Sequence, residues 1–360
     1  MCKSSLIRLM DELYQIKLKQ SFGILDCHVH PFDVMGVKTD LNSELNHLTK
    51  SDFLRPQLSE LLNYNLLSNK LTDIFTNYFP KFTSKFIDQI YSYSGIRRIL
   101  VELDSALVDR CILLPIEPWV KVADVYAKFN MNNRFIIFGS FDLNESLEMI
   151  ERKSAILINE YHISGIKLHP NLQNFFPNPK SNDTSLKDKI DYIYRFSEEN
   201  NLPILFHCGT SFYQNLIDPI FKGQTRSRSK ALLSNFCDSN GIVEFLERYK
   251  LNIILAHASA YGLTAIDCDR IKKMSTRYNS IYFDTSGVSP SRIKELLRIV
   301  DYKYVIFGSD ALYNRVAYNV AFTFQAIKNY VSEEKREDEL SEICKYVFQE
   351  NILRLIKFQI

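Results

Sequence analysis

Five of the seven histidines in this chain stand at the ends of apolar, strand-like runs. His28 and His30 close residues 23–30 (GILDCHVH), His169 closes 163–169 (ISGIKLH), His207 follows 202–206 (LPILF), and His257 follows 252–256 (NIILA). Asp310 ends the matching late run, 304–309 (YVIFGS). Imidazoles and carboxylates are transition-metal ligands and also proton carriers. One histidine beside an apolar strand is ordinarily a hydrogen-bonded core residue. Five in matched settings, closed by an acid, point instead to a common place of convergence.

Residues i and i+2 of a strand face the same side, so His28 and His30 project together. With His207 and Asp310 they make a nitrogen-rich shell containing one carboxylate. That shell suits zinc, with iron or manganese as other occupants. A water in the remaining position has its pKa lowered toward ~7. Asp310 can serve as ligand and as proton acceptor. His257 reads as the group that orients the water or polarises a substrate carbonyl, against a plainer reading as a further ligand or a structural hydrogen bond.

Lys167 and His169 also share a face, which makes both candidate substrate contacts. Lys167 either carries a carbamate bridging two metals or remains an ammonium that holds a substrate carboxylate. With no visible partner for a carbamate, one metal per chain is expected, and two if Lys167 is carbamylated.

The elements that must position these groups are eight short strands, near 23–30, 109–115, 134–141, 163–169, 202–208, 252–258, 280–285 and 303–309. They alternate with helical patterns, which predicts a (β/α)8 barrel rather than an open sheet. In such a barrel all the strand-end side chains meet on the C-terminal rim. Residues 31–108 are too long for a plain βα loop and too apolar for a disordered one, so they predict a mostly helical cap over the mouth of a single barrel spanning 1–360. The basic run 222–230 (KGQTRSRSK) reads either as a solvated loop or as a contact for an anionic substrate group. Arg226, Arg228 and Arg315 are the candidate anion contacts.

Forty-four basic residues against 42 acidic ones leave a net charge of +2, no footprint for nucleic acid or an anionic membrane. Seven cysteines without CxxC spacing argue against a disulfide framework or a thiolate zinc site, and so for a reducing, cytoplasmic setting. Residues 1–22 are apolar but interrupted by Asp11 and Glu12, so they predict an amphipathic helix packed on the body rather than a signal or a membrane span. The expected partners are a small-molecule substrate and, in an oligomer, further copies of the chain. Nucleic acid and membrane are not expected.

His-x-His at the first strand, His at the fifth and sixth, and Ser-Asp at the eighth, in that order, form a specific pattern. The motifs are Asp26-Cys27-His28-Val29-His30, Gly165-Ile166-Lys167-Leu168-His169-Pro170, Leu205-Phe206-His207-Cys208-Gly209, Leu255-Ala256-His257-Ala258 and Phe307-Gly308-Ser309-Asp310, with a closing Asn351-Ile352-Leu353-Arg354-Leu355. Over most of residues 23–357 the chain resembles the amidohydrolase superfamily, within it the amidohydrolase-related group that also holds metal-dependent decarboxylases. The resemblance implies a distorted TIM barrel with a mono- or binuclear centre. In it the first-strand pair, the fifth-strand His207 and the eighth-strand Asp310 bind metal, while His257 contacts water or substrate. The chain departs from relatives at Ala258-Ser259-Ala260, where glycine is frequent, and in its long 31–108 insertion.

The resemblance implies a metal-dependent hydrolase acting on an amide, ester or lactone, or alternatively a non-oxidative decarboxylase of an aromatic or unsaturated acid. Both use the same ligands. A phosphodiester-cleaving enzyme of TatD or polymerase-and-histidinol-phosphatase type also begins with His-x-His, but the TatD pattern expects glutamate where Lys167 stands. The non-enzymatic reading is a barrel that keeps the metal for binding or structure.

Overall fold

Apolar runs rich in β-branched and aromatic residues form parallel strands in the computed structural model, which describes residues 3–32, 49–55, 95–173, 175–177, 184–208, 246–259 and 275–356. They are β1 (Leu25–Val29), β2 (Arg110–Leu113), β3 (Phe135–Ile137), β4 (Ile166–Leu168), β5 (Ile204–Phe206), β6 (Ile253–Leu255), β7 (Ile281–Asp284) and β8 (Val305–Ile306). Strands β1–β3 form one ladder and β4–β8 another, each in chain order. Parallel bridges Gly139–Ile166 and Val29–Ala311 join the ladders at both seams. At the second seam Cys27 N–H donates to the Phe307 carbonyl at 3.0 Å and Asp310 N–H to the His28 carbonyl at 2.9 Å. The ring closes as the distorted (β/α)8 barrel that the sequence pattern predicts.

The strands are shorter than the apolar runs because the last residues of each run leave the ladder to line the rim. Helices α1 (Lys3–Gln20), α2 (Ile96–Ser105), α3 (Val122–Phe129), α4 (Leu147–Asn159), α5 (Thr184–Glu199), α6 (Pro290–Ile299) and α7 (Val316–Glu333) cover the outside. Helix α1 buries Leu6, Leu9, Met10 and Leu13 and packs on α7, as an amphipathic helix must.

Two apolar layers follow from strand alternation. Leu25, Cys27, Ile112, Ile136, Leu205, Ile254 and Ile306 fill the barrel, and Ile352, Leu355 and Ile356 close it from below. Their neighbours Ile24, Cys111, Phe135, Ile204, Ile253 and Val305 pack outward against the helices. The upper end is filled by polar groups instead.

Within the expected cap 31–108, the described residues include a single helical turn at Lys50–Phe53 and helix α2. Residues 33–48 and 56–94 lie outside the described residues, as do 209–245 with Arg226 and Arg228. No helix among the described residues is long and apolar enough to cross a membrane.

Candidate metal centre

A bulge in β1 aims the first pair of histidines. Asp26 pairs with Cys111 and Val29 with Leu113, so three steps of β1 run against two of β2. The extra residue shifts the phase of the strand. Leu25 and Cys27 fill the barrel below it, and His28 and His30 turn into the mouth above it. Asp26, fully buried, accepts from the backbone N–H of His28 at 3.0 Å and of Ser309 at 2.9 Å, which ties the bulge to the end of β8.

His257 reaches the mouth by a different device. Ile254 and Ala256 already face the barrel interior, so strict alternation would turn His257 outward. Instead it sits on a 3₁₀ turn with φ 57°, a left-handed conformation, and its N–H donates to Asp284 Oδ1 at 2.7 Å. Asp310 is also left-handed, with φ 61°. Such residues ordinarily cost ~1–2 kcal/mol, so the hydrogen bonds that hold them belong to the site.

The hydrogen-bond partners fix the tautomers of the first pair. His28 Nδ1 lies 2.7 Å from Asp284 Oδ2, and His30 Nδ1 lies 3.3 Å from the Leu114 carbonyl. Each therefore carries its proton on Nδ1 and a lone pair on Nε2. The two Nε2 atoms face each other at 3.2 Å, with Asp310 Oδ1 at 3.6 and 3.5 Å from them. Two imidazole lone pairs and a carboxylate oxygen thus surround one point, an arrangement that a bound cation stabilises. Donors each ~2.0–2.1 Å from one tetrahedral ion lie roughly 3.3 Å apart, so these separations fit a zinc-sized ion. His257 belongs to the same cluster: ligand atoms of His28, His257 and Asp310 all lie within 4.8 Å of one another.

The remaining histidines adjoin this group. His257 Nδ1 is 2.9 Å from the Ser286 carbonyl, and its Nε2 is 3.2 Å from His207 Nδ1. The His207 ring stacks on His169, with centroids 3.9 Å apart and planes 9° from parallel. His169 Nδ1 accepts the Leu172 N–H at 3.2 Å, which leaves its proton on Nε2.

Burial sets the electrostatics. Desolvation pushes His28, His30, His169 and His207 well below the ordinary histidine range, and His257 to about 4, so all five are neutral near pH 7 and able to bind metal. Desolvation raises Asp310 well above the carboxylate range, against the opposing pull of Lys167. The Lys167 Nζ is fully buried and makes no hydrogen bond among the described residues. Desolvation brings it down to about 8, with Asp284 and Asp310 resisting.

The structure therefore gathers His28, His30, Asp310 and His257 directly, with His207, His169 and Lys167 beside them. Arg315 stands at the start of α7. Its guanidinium is 3.0 Å from buried Glu102 of α2 and stacks 4.8 Å over Phe53. Sequence reasoning missed Asp284 and Ser286, at the end of β7 and just beyond it, although the signal was the one that found Asp310: a polar residue closing an apolar strand. It also missed Tyr313, whose ring meets His30 edge-on at 5.6 Å.

A protein-family model described as amidohydrolase matches residues 123–345. No curated protein matches the chain. Among solved structures, 5-carboxyvanillate decarboxylase from Sphingomonas paucimobilis is 16% identical over 73% of this chain and 83% of its own, with a TM-score of 0.51. An uncharacterized TIM-barrel protein from Bordetella bronchiseptica is 12% identical over 89% of this chain and 99% of its own, with a TM-score of 0.53. At these identities the likeness is one of fold.

Proposed function

This chain belongs to the amidohydrolase family, and from that premise we propose that it is a metal-dependent hydrolase acting on an amide, ester or lactone of a small molecule. The observation that carries the reading is the triangle of His28 Nε2, His30 Nε2 and Asp310 Oδ1, with edges of 3.2, 3.5 and 3.6 Å. His28, His30, His207 and Asp310 are the proposed ligands of one ion per chain, zinc by the donor set. Bound there, the ion supplies Lewis acidity and lowers the pKa of a coordinated water toward ~7.

The protein's own residues do the rest. Asp310 accepts the water proton and returns it to the leaving group, held by the Asn314 side-chain amide, which donates to its Oδ2 at 3.3 Å. His257 is neutral and keeps its Nδ1 proton on the Ser286 carbonyl, so its Nε2 orients the water or steadies the substrate. Lys167, with a pKa of about 8, is mostly an ammonium at neutral pH and draws a substrate carboxylate toward the ion. The Nε2 proton of His169 is a further donor to substrate. Four described cysteines are buried free thiols, which supports a reducing cytoplasmic setting.

The same buried cation favours one second reading, non-oxidative decarboxylation of an aromatic or unsaturated acid, because that substrate must bring a carboxylate. Metal analysis of protein purified without chelator, joined to a screen of amides, esters, lactones, phosphodiesters and aromatic acids, tests both. Hydrolysis of a neutral carbonyl substrate by metal-loaded protein supports the first reading. Release of CO₂ without hydrolysis replaces it with the second. Protein that binds no divalent ion defeats both.

A further inference from the structure

We infer that Asp284 and Ser286, at the C-terminal end of β7, form a positioning hub that sets the proton on His28 and the turn of His257 together. The inference rests on the metal-centre reading above and adds to it a joint role for two residues that appear there only as separate hydrogen-bond partners. Asp284 is fully buried and uses both oxygens. Its Oδ2 faces His28 Nδ1 at 2.7 Å. Its Oδ1 accepts the N–H of His257 at 2.7 Å, the N–H of Ser286 at 3.0 Å, and the Ser286 hydroxyl. Ser286 closes the circuit, with its Oγ 3.1 Å from His28 Nδ1 and 3.0 Å from His257 Nδ1, and its carbonyl 2.9 Å from the latter.

The consequence is directional. A carboxylate has no proton to give, so at Oδ2 it holds the His28 proton on Nδ1 and keeps the Nε2 lone pair aimed at His30 and Asp310. At Oδ1 the same group satisfies the peptide N–H that the left-handed turn of His257 would otherwise leave buried and unpaired. One side chain thus sets a proposed metal ligand from strand 1 and a water- or substrate-facing imidazole from strand 6, which the barrel brings together across the mouth. Asp284 and Ser286 are positioning residues: they act through His28 and His257.

Asp284→Asn separates this role from mere packing, because the amide is nearly the same size but has only one acceptor oxygen. Three donors crowd the Oδ1 side, so the amide oxygen stays there and the NH₂ turns toward His28 Nδ1. Nδ1 must then accept, the proton moves to Nε2, and a donor points where a metal should bind. Histidine ¹⁵N spectra of the metal-free protein read the tautomer directly, and competition with a chelator reads zinc affinity.

Wild type should show His28 protonated at Nδ1. Asp284→Asn should show it protonated at Nε2, with zinc binding weakened about 10–100-fold. Ser286→Ala, which keeps the carboxylate and both peptide donors, should leave the His28 tautomer as in wild type. Wild-type His28 protonated at Nε2 overturns the inference, whether or not Asp284→Asn folds. So does a folded Asp284→Asn with wild-type tautomer and zinc affinity, or a tautomer change in Ser286→Ala. Failure of wild type to bind zinc defeats the metal reading instead, and the tautomer spectra distinguish the two cases.

Discussion

Replacing Lys167 with methionine should stabilise the metal-free protein at neutral pH and remove one component of its pH dependence. The lysine is fully buried without a hydrogen-bond partner among the described residues, and desolvation lowers its pKa from the ordinary 10.5 to about 8. Between those values the unfolded chain binds more protons than the folded one, so stability rises with pH across the window. Below about 8 both states are protonated and the whole penalty is present. The gap of about 2.5 pH units, at about 1.36 kcal/mol each, makes that penalty on the order of 3 kcal/mol. Methionine keeps an unbranched chain of similar length and adds no charge, so the comparison isolates desolvation of the ammonium. Urea titrations of both proteins in chelator, from about pH 7 to about pH 10, give the difference in stability, with the titrations of groups not coupled to Lys167 cancelling. The mutant should lead by on the order of 3 kcal/mol near neutrality and lose that lead as the pH rises. A difference that stays flat with pH would refute the reasoning, because the ammonium would then be solvated through a route to water. In the loaded enzyme the same substitution should raise KM for anionic substrates more than it lowers kcat.

His28→Ala should lose most bound metal and most activity while keeping a cooperative unfolding transition, since the strand below it is packed by Leu25 and Cys27; metal analysis and a melting curve check both halves. Gly308→Ala should cost about 1–3 kcal/mol and weaken metal binding, because a Cβ there would lie 2.9 Å from His28 Cβ and 3.3 Å from Ser286 Cβ, atoms tied to the backbone that cannot swing away. Chemical denaturation and chelator competition would show it, and a neutral result would mean the β1–β8 seam yields. Arg315→Ala leaves buried Glu102 with Arg98 at 3.3 Å as its remaining guanidinium, so it should cost about 2 kcal/mol, short of the ~3–5 kcal/mol of an uncompensated buried break. If stability holds and KM for anionic substrates climbs instead, Arg315 contacts substrate rather than tying α2 to the strand-8 loop.

The sequence by itself determined the barrel and most of the polar groups on its rim. Both are written in local patterns: apolar runs of strand length, helical spacing between them, and a histidine or aspartate where each run stops. The i, i+2 rule places His28 and His30 on one face, and their Nε2 atoms lie 3.2 Å apart. What only the tertiary structure decided is which way that pair faces, because the β1 bulge exists only in the pairing of β1 with β2 and reverses the strand's phase between Cys27 and His28. Alternation would have turned His257 out of the site, and a left-handed turn held by Asp284 from the next strand brings it in. The tautomers lay equally beyond reach, since each is set by an acceptor far along the chain: Asp284 for His28, Leu114 for His30, Ser286 for His257. Periodicity is a property of one segment and can be read from it. The direction of a lone pair depends on partners that meet only when the barrel closes.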